Sequence, residues 1–462
     1  MRKLIKSSAF IIAAFIILKV FGLLREVVLA YVYGAGALTD AYVIARSVPD
    51  TLAGIAAASA GSVFITVSAG LQRENEKSRF TRILITLFCA FGALLTVFIA
   101  AFPDFFINIF AANPAPDVAE KTVSLLRVMS LVCIPSFANA ILAANLQAKG
   151  QFFRAAVYQV TVNIFVIAFI FIGKAAGIDT LIGIGFSAGY ICSAILLLIF
   201  NKAAGFSYFA SRENRAEKIL FDKNIKAFFV LLIPALLSAA VPQLFQAADR
   251  AVSASPFFEI GTVSALSYAA KIESVFVLLI GTTAATAFLP DLTKSIAEGE
   301  IEQAKKQIGN AFRAVMIVAI PLTVGVMLFS HLIIRILLQR GEFSAADTAK
   351  TAQLLFMYAA GLAPQCASPL LAAVLLALRE TKALIAVSLT ALVVGALLKI
   401  LLWGSAPLLA FSTSVAAYVF AGLLFFMLRR KKIDFSLRFT KSDIEALIEY
   451  VKSALARKGE FR

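Results

Sequence analysis

Lys19, Arg25, Glu26, Asp40, Arg46 and Asp50 fall within one stretch, residues 19–61, of sequence that is otherwise apolar enough to cross a bilayer. An ionised side chain near the bilayer centre costs at least about 2.5–3.5 kcal/mol on insertion scales, so such residues face a wet cavity, a partner or a ligand. Cations lead the charges placed inside apolar runs: Lys19, Arg25, Arg46, Arg127, Lys271, Arg313 and Lys399. Guanidinium forks and ammonium groups suit phosphate oxygens, and desolvation strengthens the contact. The chemistry open to them is the binding of a phosphorylated anion. Arg313 and Lys399 lie near the ends of predicted segments, where long stems can carry their charge to the interface. Arg127 lies about one turn inside its segment. Lys19, Arg25, Arg46 and Lys271 are the candidate substrate-binding cations, with Asp40 beside them. The competing reading neutralises them locally, Arg25 with Asp40 or Lys271 with Glu273.

No enzyme constellation accompanies these residues. His331, the only histidine, falls at the end of an apolar run. There is no P-loop and no zinc spacing, so no cofactor and no metal site is expected. The four cysteines (Cys89, Cys133, Cys192, Cys366) all lie in apolar segments without metal-ligand spacing and read as inert core residues.

The elements that position these charges are membrane helices. Of 462 residues 61% are hydrophobic and 15% charged, with a mean hydropathy of +0.90; soluble proteins are about 45–50% apolar with about 25% charged residues. Apolar runs recur at spanning length, and helices satisfy their own backbone in lipid. The predicted fold is an all-α polytopic membrane protein with about 12 transmembrane helices in two six-helix lobes around a central cavity. The segments are roughly 7–33, 38–70, 80–102, 122–146, 155–173, 180–201, 227–248, 260–289, 309–338, 348–378, 383–402 and 406–428. Prolines 49, 135, 234, 242, 321, 364 and 369 lie inside segments and predict bends.

The formal charge of +16 does not point to nucleic acid, because the basic residues cluster in short loops. With a cytoplasmic N-terminus, 30 of the 43 lysines and arginines fall on the inner side and six on the outer. That asymmetry predicts twelve spans with both termini cytoplasmic. The N-terminal MRKLIK and the apolar run after it read as an uncleaved first helix.

The predicted organisation is an N-terminal lobe over 1–205, a cytoplasmic basic linker over 206–226, a C-terminal lobe over 227–430 and a cytoplasmic amphipathic tail over 431–462. The lobes read as parallel repeats: FPDFFINIF at 102–110 echoes FSHLIIRIL at 329–337, and DAYVIARSV at 40–48 echoes ALSYAAKIE at 265–273, setting Arg46 against Lys271. The stretch 124–150 echoes the one that begins at Gln353. In the tail, Ser442 and Glu445 form a capping-box pattern ahead of an apolar face, as for a helix lying on the inner leaflet.

Lys19, Gly22, Arg25, Tyr33-Gly34-Ala35-Gly36, Thr39-Asp40-Ala41-Tyr42 and Pro49 resemble the opening motif of the MurJ (MviN) family in the multidrug/oligosaccharidyl-lipid/polysaccharide (MOP) exporter superfamily. Leu146 to Phe152, Leu289-Pro290-Asp291-Leu292 and Gln339-Arg340-Gly341-Glu342-Phe343 extend the resemblance over most of the chain. It implies a flippase that moves polyprenyl-diphosphate-linked glycans such as lipid II across the bacterial cytoplasmic membrane. Its partners would be that substrate and the bilayer, with drive from the membrane potential or a coupling ion. The chain departs from the family pattern at Ala53-Gly54, where an arginine pair is usual, and at Lys19 and Lys271, where arginine is typical. Family members commonly have fourteen helices. These departures keep other readings open: a flippase for an O-antigen or exopolysaccharide precursor, a drug or cation antiporter, or a non-transporting paralogue. An antiporter would want acids in its cavity, and here buried cations outnumber them.

Overall fold

A computed structural model describes residues 2–208, 223–255 and 257–435. The amphipathic tail from 436 onward and most of the basic linker lie outside the described residues. Every regular element among those described is helical. In order they are α1 (Arg2–Tyr33), α2 (Ala37–Ala69), α3 (Glu74–Ala101), α4 (Pro103–Phe110), α5 (Pro116–Met129), α6 (Cys133–Ala148), α7 (Phe152–Ala176), α8 (Leu181–Ala203), α9 (Lys223–Ser253), α10 (Thr262–Val277), α11 (Thr283–Ala297), α12 (Ile301–Leu328), α13 (Ser330–Leu338), α14 (Ala345–Ala359), α15 (Leu362–Ala377), α16 (Thr381–Leu401) and α17 (Ala406–Arg430). A 3₁₀ turn, Ser130–Val132, joins α5 to α6, and a π-helical stretch, Leu278–Thr282, joins α10 to α11.

Among the described residues nine helices are long and apolar enough to cross a membrane, and ten if the bent pair α14 and α15 is one span. The two other expected segments, 7–33 and 227–248, coincide with α1 and α9, helices of 32 and 31 residues that fall outside that count. Apolar side chains such as Leu94, Val97 and Leu401 stand more than 60% exposed on these helices, as suits surfaces that meet lipid rather than water.

Packing divides the chain into two compact units, Met1–Tyr268 with Ile334–Thr351, and Ala269–Ile333 with Ala352–Arg462. Ala60 and Phe64 of α2, Leu84 of α3, Ile141 of α6 and Phe228 of α9 lock together in the first unit. The helix after the linker therefore packs with those before it. In the second unit Ile308 of α12, Leu371 and Val374 of α15 and Leu424 of α17 form the core.

Two helix breaks lie in the stretches that the sequence sets against each other, 124–150 and the one that begins at Gln353. Proline lacks an N–H and its ring clashes with the carbonyl four residues earlier. Pro135 is placed to disrupt the ladder at Leu131, inside the 3₁₀ turn, and Pro364 at Ala360, where α14 and α15 meet at 45°. Serine hydroxyls serve the carbonyls beside both breaks. Ser187 Oγ donates to the Val128 carbonyl at 2.8 Å, and Ser414 Oγ donates to the Met357 and Tyr358 carbonyls at 2.6 and 3.0 Å. Thr96 adds a bond to the Ser130 carbonyl at 3.0 Å. Pro49, Pro321 and Pro369, by contrast, sit inside continuous helices.

Candidate functional site

Arg25 and Glu26 interrupt the apolar run of α1 about two turns before its end, and Arg46 and Asp50 lie one turn apart on α2. The fold brings all four together. Glu26 Oε1 receives Arg25 Nη2 at 2.7 Å and Arg46 Nη1 at 3.1 Å, while Arg46 Nε lies 3.3 Å from Asp50 Oδ2. Arg25, Glu26 and Arg46 are 7%, 1% and 3% exposed, so these charges have left solvent and depend on one another. The Asp50 side chain is 34% exposed and forms the open end of the chain of charges. Tyr190 of α8 donates its hydroxyl to Asp50 Oδ1 at 3.2 Å. The Arg46 guanidinium lies 5.4 Å from the centre of the Tyr42 ring, one turn earlier on α2.

Arg25 and Arg46 are thus joined through a carboxylate that neither expected pairing included. Asp40 is engaged elsewhere. Its Oδ2 accepts the Gly261 N–H at 2.6 Å and its Oδ1 the Ser264 N–H at 2.7 Å, capping the first turn of α10 from another helix. Around this cap the fold gathers motifs that are scattered in the sequence. Gly261 has φ +92°, and a Cβ there would lie 2.4 Å from the Ala35 carbonyl oxygen. The Glu342 N–H donates to the Tyr31 carbonyl at 2.9 Å, and Tyr268 Oη donates to the Gly34 carbonyl at 3.2 Å. Gly341 has φ +60° and a Cβ there would lie 2.2 Å from the Tyr31 carbonyl oxygen. The Tyr33-Gly34-Ala35-Gly36, Thr39-Asp40 and Arg340-Gly341-Glu342 runs therefore meet in one clasp.

Lys19 lies half-buried on α1, six residues before Arg25. In the second unit Lys271 is half-buried on α10, and Glu273 of the same helix is 5% exposed and accepts Gln365 Nε2 at 2.6 Å. Lys399 corrects the expectation of a charge carried to the interface. It is 1% exposed, with Thr413 Oγ1 of α17 at 3.4 Å. No group of three histidine, cysteine or carboxylate side chains with metal-holding geometry occurs among the described residues.

The fold matches solved transporters. A structure described as lipid II flippase MurJ in an inward closed conformation superposes with a TM-score of 0.81 at 23% identity, over 94% of this chain and 89% of that one. An inward-facing multidrug resistance MATE family transporter of the MOP superfamily superposes at 0.75 and 13% identity, over 90% of this chain and 94% of that one. The chain is a multi-pass membrane protein with the fold of these transporters. The family model described as lipid II flippase MurJ matches residues 29–456, and the chain belongs to that family. Relatives described as "Probable lipid II flippase MurJ" include those of Rickettsia prowazekii (strain Madrid E), 28% identical over 90% of this chain and 82% of its own length, and of Thermotoga maritima, 27% identical over 92% and 85%.

Proposed function

We propose that this protein translocates a polyprenyl-diphosphate-linked cell-wall precursor, lipid II or a close relative, from the inner to the outer leaflet of the bacterial cytoplasmic membrane. Membership of the lipid II flippase family supports the substrate class. The observation that carries the site is the pair of buried guanidiniums on Glu26, drawn from the first two helices. Arg25 and Arg46, with Lys271 and secondarily Lys19, supply the positive charge that meets the diphosphate. Asp40 acts at one remove, by capping the helix that bears Lys271.

The polyprenyl tail stays in lipid while the headgroup crosses by alternating access of the two six-helix halves. Both termini are cytoplasmic in this reading. The membrane potential or a coupling ion biases the cycle. Reconstituted protein given defined fluorescent lipid-linked precursors tests the function directly. Appearance of lipid II in the outer leaflet is the expected result, and transport only of an undecorated or differently glycosylated diphosphate lipid would reassign the glycan. Complementation of a flippase-depleted strain provides the cellular counterpart.

A further inference from the structure

We propose that Glu26 is an internal counter-ion, which the diphosphate displaces on entry and which returns to the arginines on release. This rests on the arginine site proposed above and deepens it. Three observations point the same way. Glu26 offers one oxygen to both guanidiniums, at 2.7 and 3.1 Å, whereas two arginines can donate ten N–H bonds between them. Arg25 Nε is buried without a hydrogen-bond partner, so the fork is only part filled. Arg25 and Glu26 are adjacent in sequence, and neighbours on a helix point about 100° apart rather than toward each other. Their contact is made by long side chains bending round the helix, a geometry that rotamer changes can open without moving the backbone.

A diphosphate supplies more acceptor oxygens and more negative charge than one carboxylate, and it suits bidentate arginine contacts. It therefore outcompetes Glu26 in the loaded state. The carboxylate remains next door, repels the bound anion and re-pairs with the arginines when the headgroup leaves. With Asp50 as the one remaining carboxylate of the cluster, on Arg46, the site would hold its cargo too long.

The test is binding of inorganic pyrophosphate to detergent-purified full-length protein by calorimetry, alongside translocation in proteoliposomes. Glu26→Gln should bind pyrophosphate at least about tenfold tighter than the parent and move lipid more slowly. Equal or weaker binding by folded Glu26→Gln protein, judged by its melting profile, overturns the counter-ion role. Should that variant fail to fold, Glu26→Asp serves instead. It keeps the charge but withdraws it by one methylene from the arginines, so a smaller tightening in the same direction is expected, and equal or weaker binding counts against the role. Arg46→Ala in the same assay separates the two proposals. If it binds pyrophosphate as the parent does, the arginine site itself falls; if it loses binding while Glu26→Gln gains none, only the counter-ion role falls.

Discussion

The carboxylate of Asp40 on α2 accepts the backbone N–H of Ser264, at the start of α10, at 2.7 Å. Its second oxygen takes the Gly261 N–H, so one side chain supplies the cap that α10 would otherwise draw from its own sequence. Asp40→Ala would leave two buried donors without partners, each worth about 1–3 kcal/mol. The variant should melt several degrees lower in detergent and exchange the amides of residues 261–265 faster. Asp40→Asn, which keeps one good acceptor, should fall between.

Glycine is required where the clasp brings backbones together. Gly261→Ala and Gly341→Ala place a Cβ at 2.4 Å and 2.2 Å from the carbonyl oxygens of Ala35 and Tyr31, both in left-handed conformations. Each should lower the melting temperature and reduce transport. Gly22→Ala in α1 meets nothing within 4 Å, and there the gain in helix propensity should leave stability unchanged or raise it by up to about 1 kcal/mol. The three melting profiles side by side check the contrast.

Arg46 faces two carboxylates, so its removal should do more than empty a binding site. Arg46→Ala takes one guanidinium from Glu26 and the guanidinium from Asp50, and breaking a buried pair costs about 3–5 kcal/mol. Transport should be abolished and the protein destabilised. The double variant with Glu26→Gln should lose markedly less stability than the two single changes added together. Thermal melts of the four proteins in one double-mutant cycle read this coupling.

Ser187→Ala and Ser414→Ala should each lower stability by about 1 kcal/mol, the worth of a hydrogen bond to a backbone carbonyl. Because the two serines lie in different packing units, their effects should add. A combined loss well above the sum of the single losses would show that the breaks are coupled.

Much of the frame was legible from hydropathy, because each membrane helix must be apolar along its length. Pro135 and Pro364 marked two places where a ladder fails, and the chain breaks or bends beside each. The site was legible only in part. Charge in an apolar run marked Arg25 and Arg46, but the Arg25–Glu26 contact joins neighbours in sequence, a spacing that helix geometry does not favour. Asp40 binds backbone amides far away in the chain, and amides carry no sequence signature. The glycine motifs were visible as letters; that they form one clasp depends on tertiary packing alone. Lys399 looked like a helix-end charge because hydropathy records depth along a helix and not which face it presents.

The helix breaks have one more consequence. Carbonyls next to both bends are bonded by hydroxyls from packed neighbours, so neither kink calls for a water-filled crevice. Cys133 and Cys366 sit at these bends and are fully buried. Water-borne maleimide applied to intact membranes should leave both thiols unlabelled, marking the kinks as dry joints.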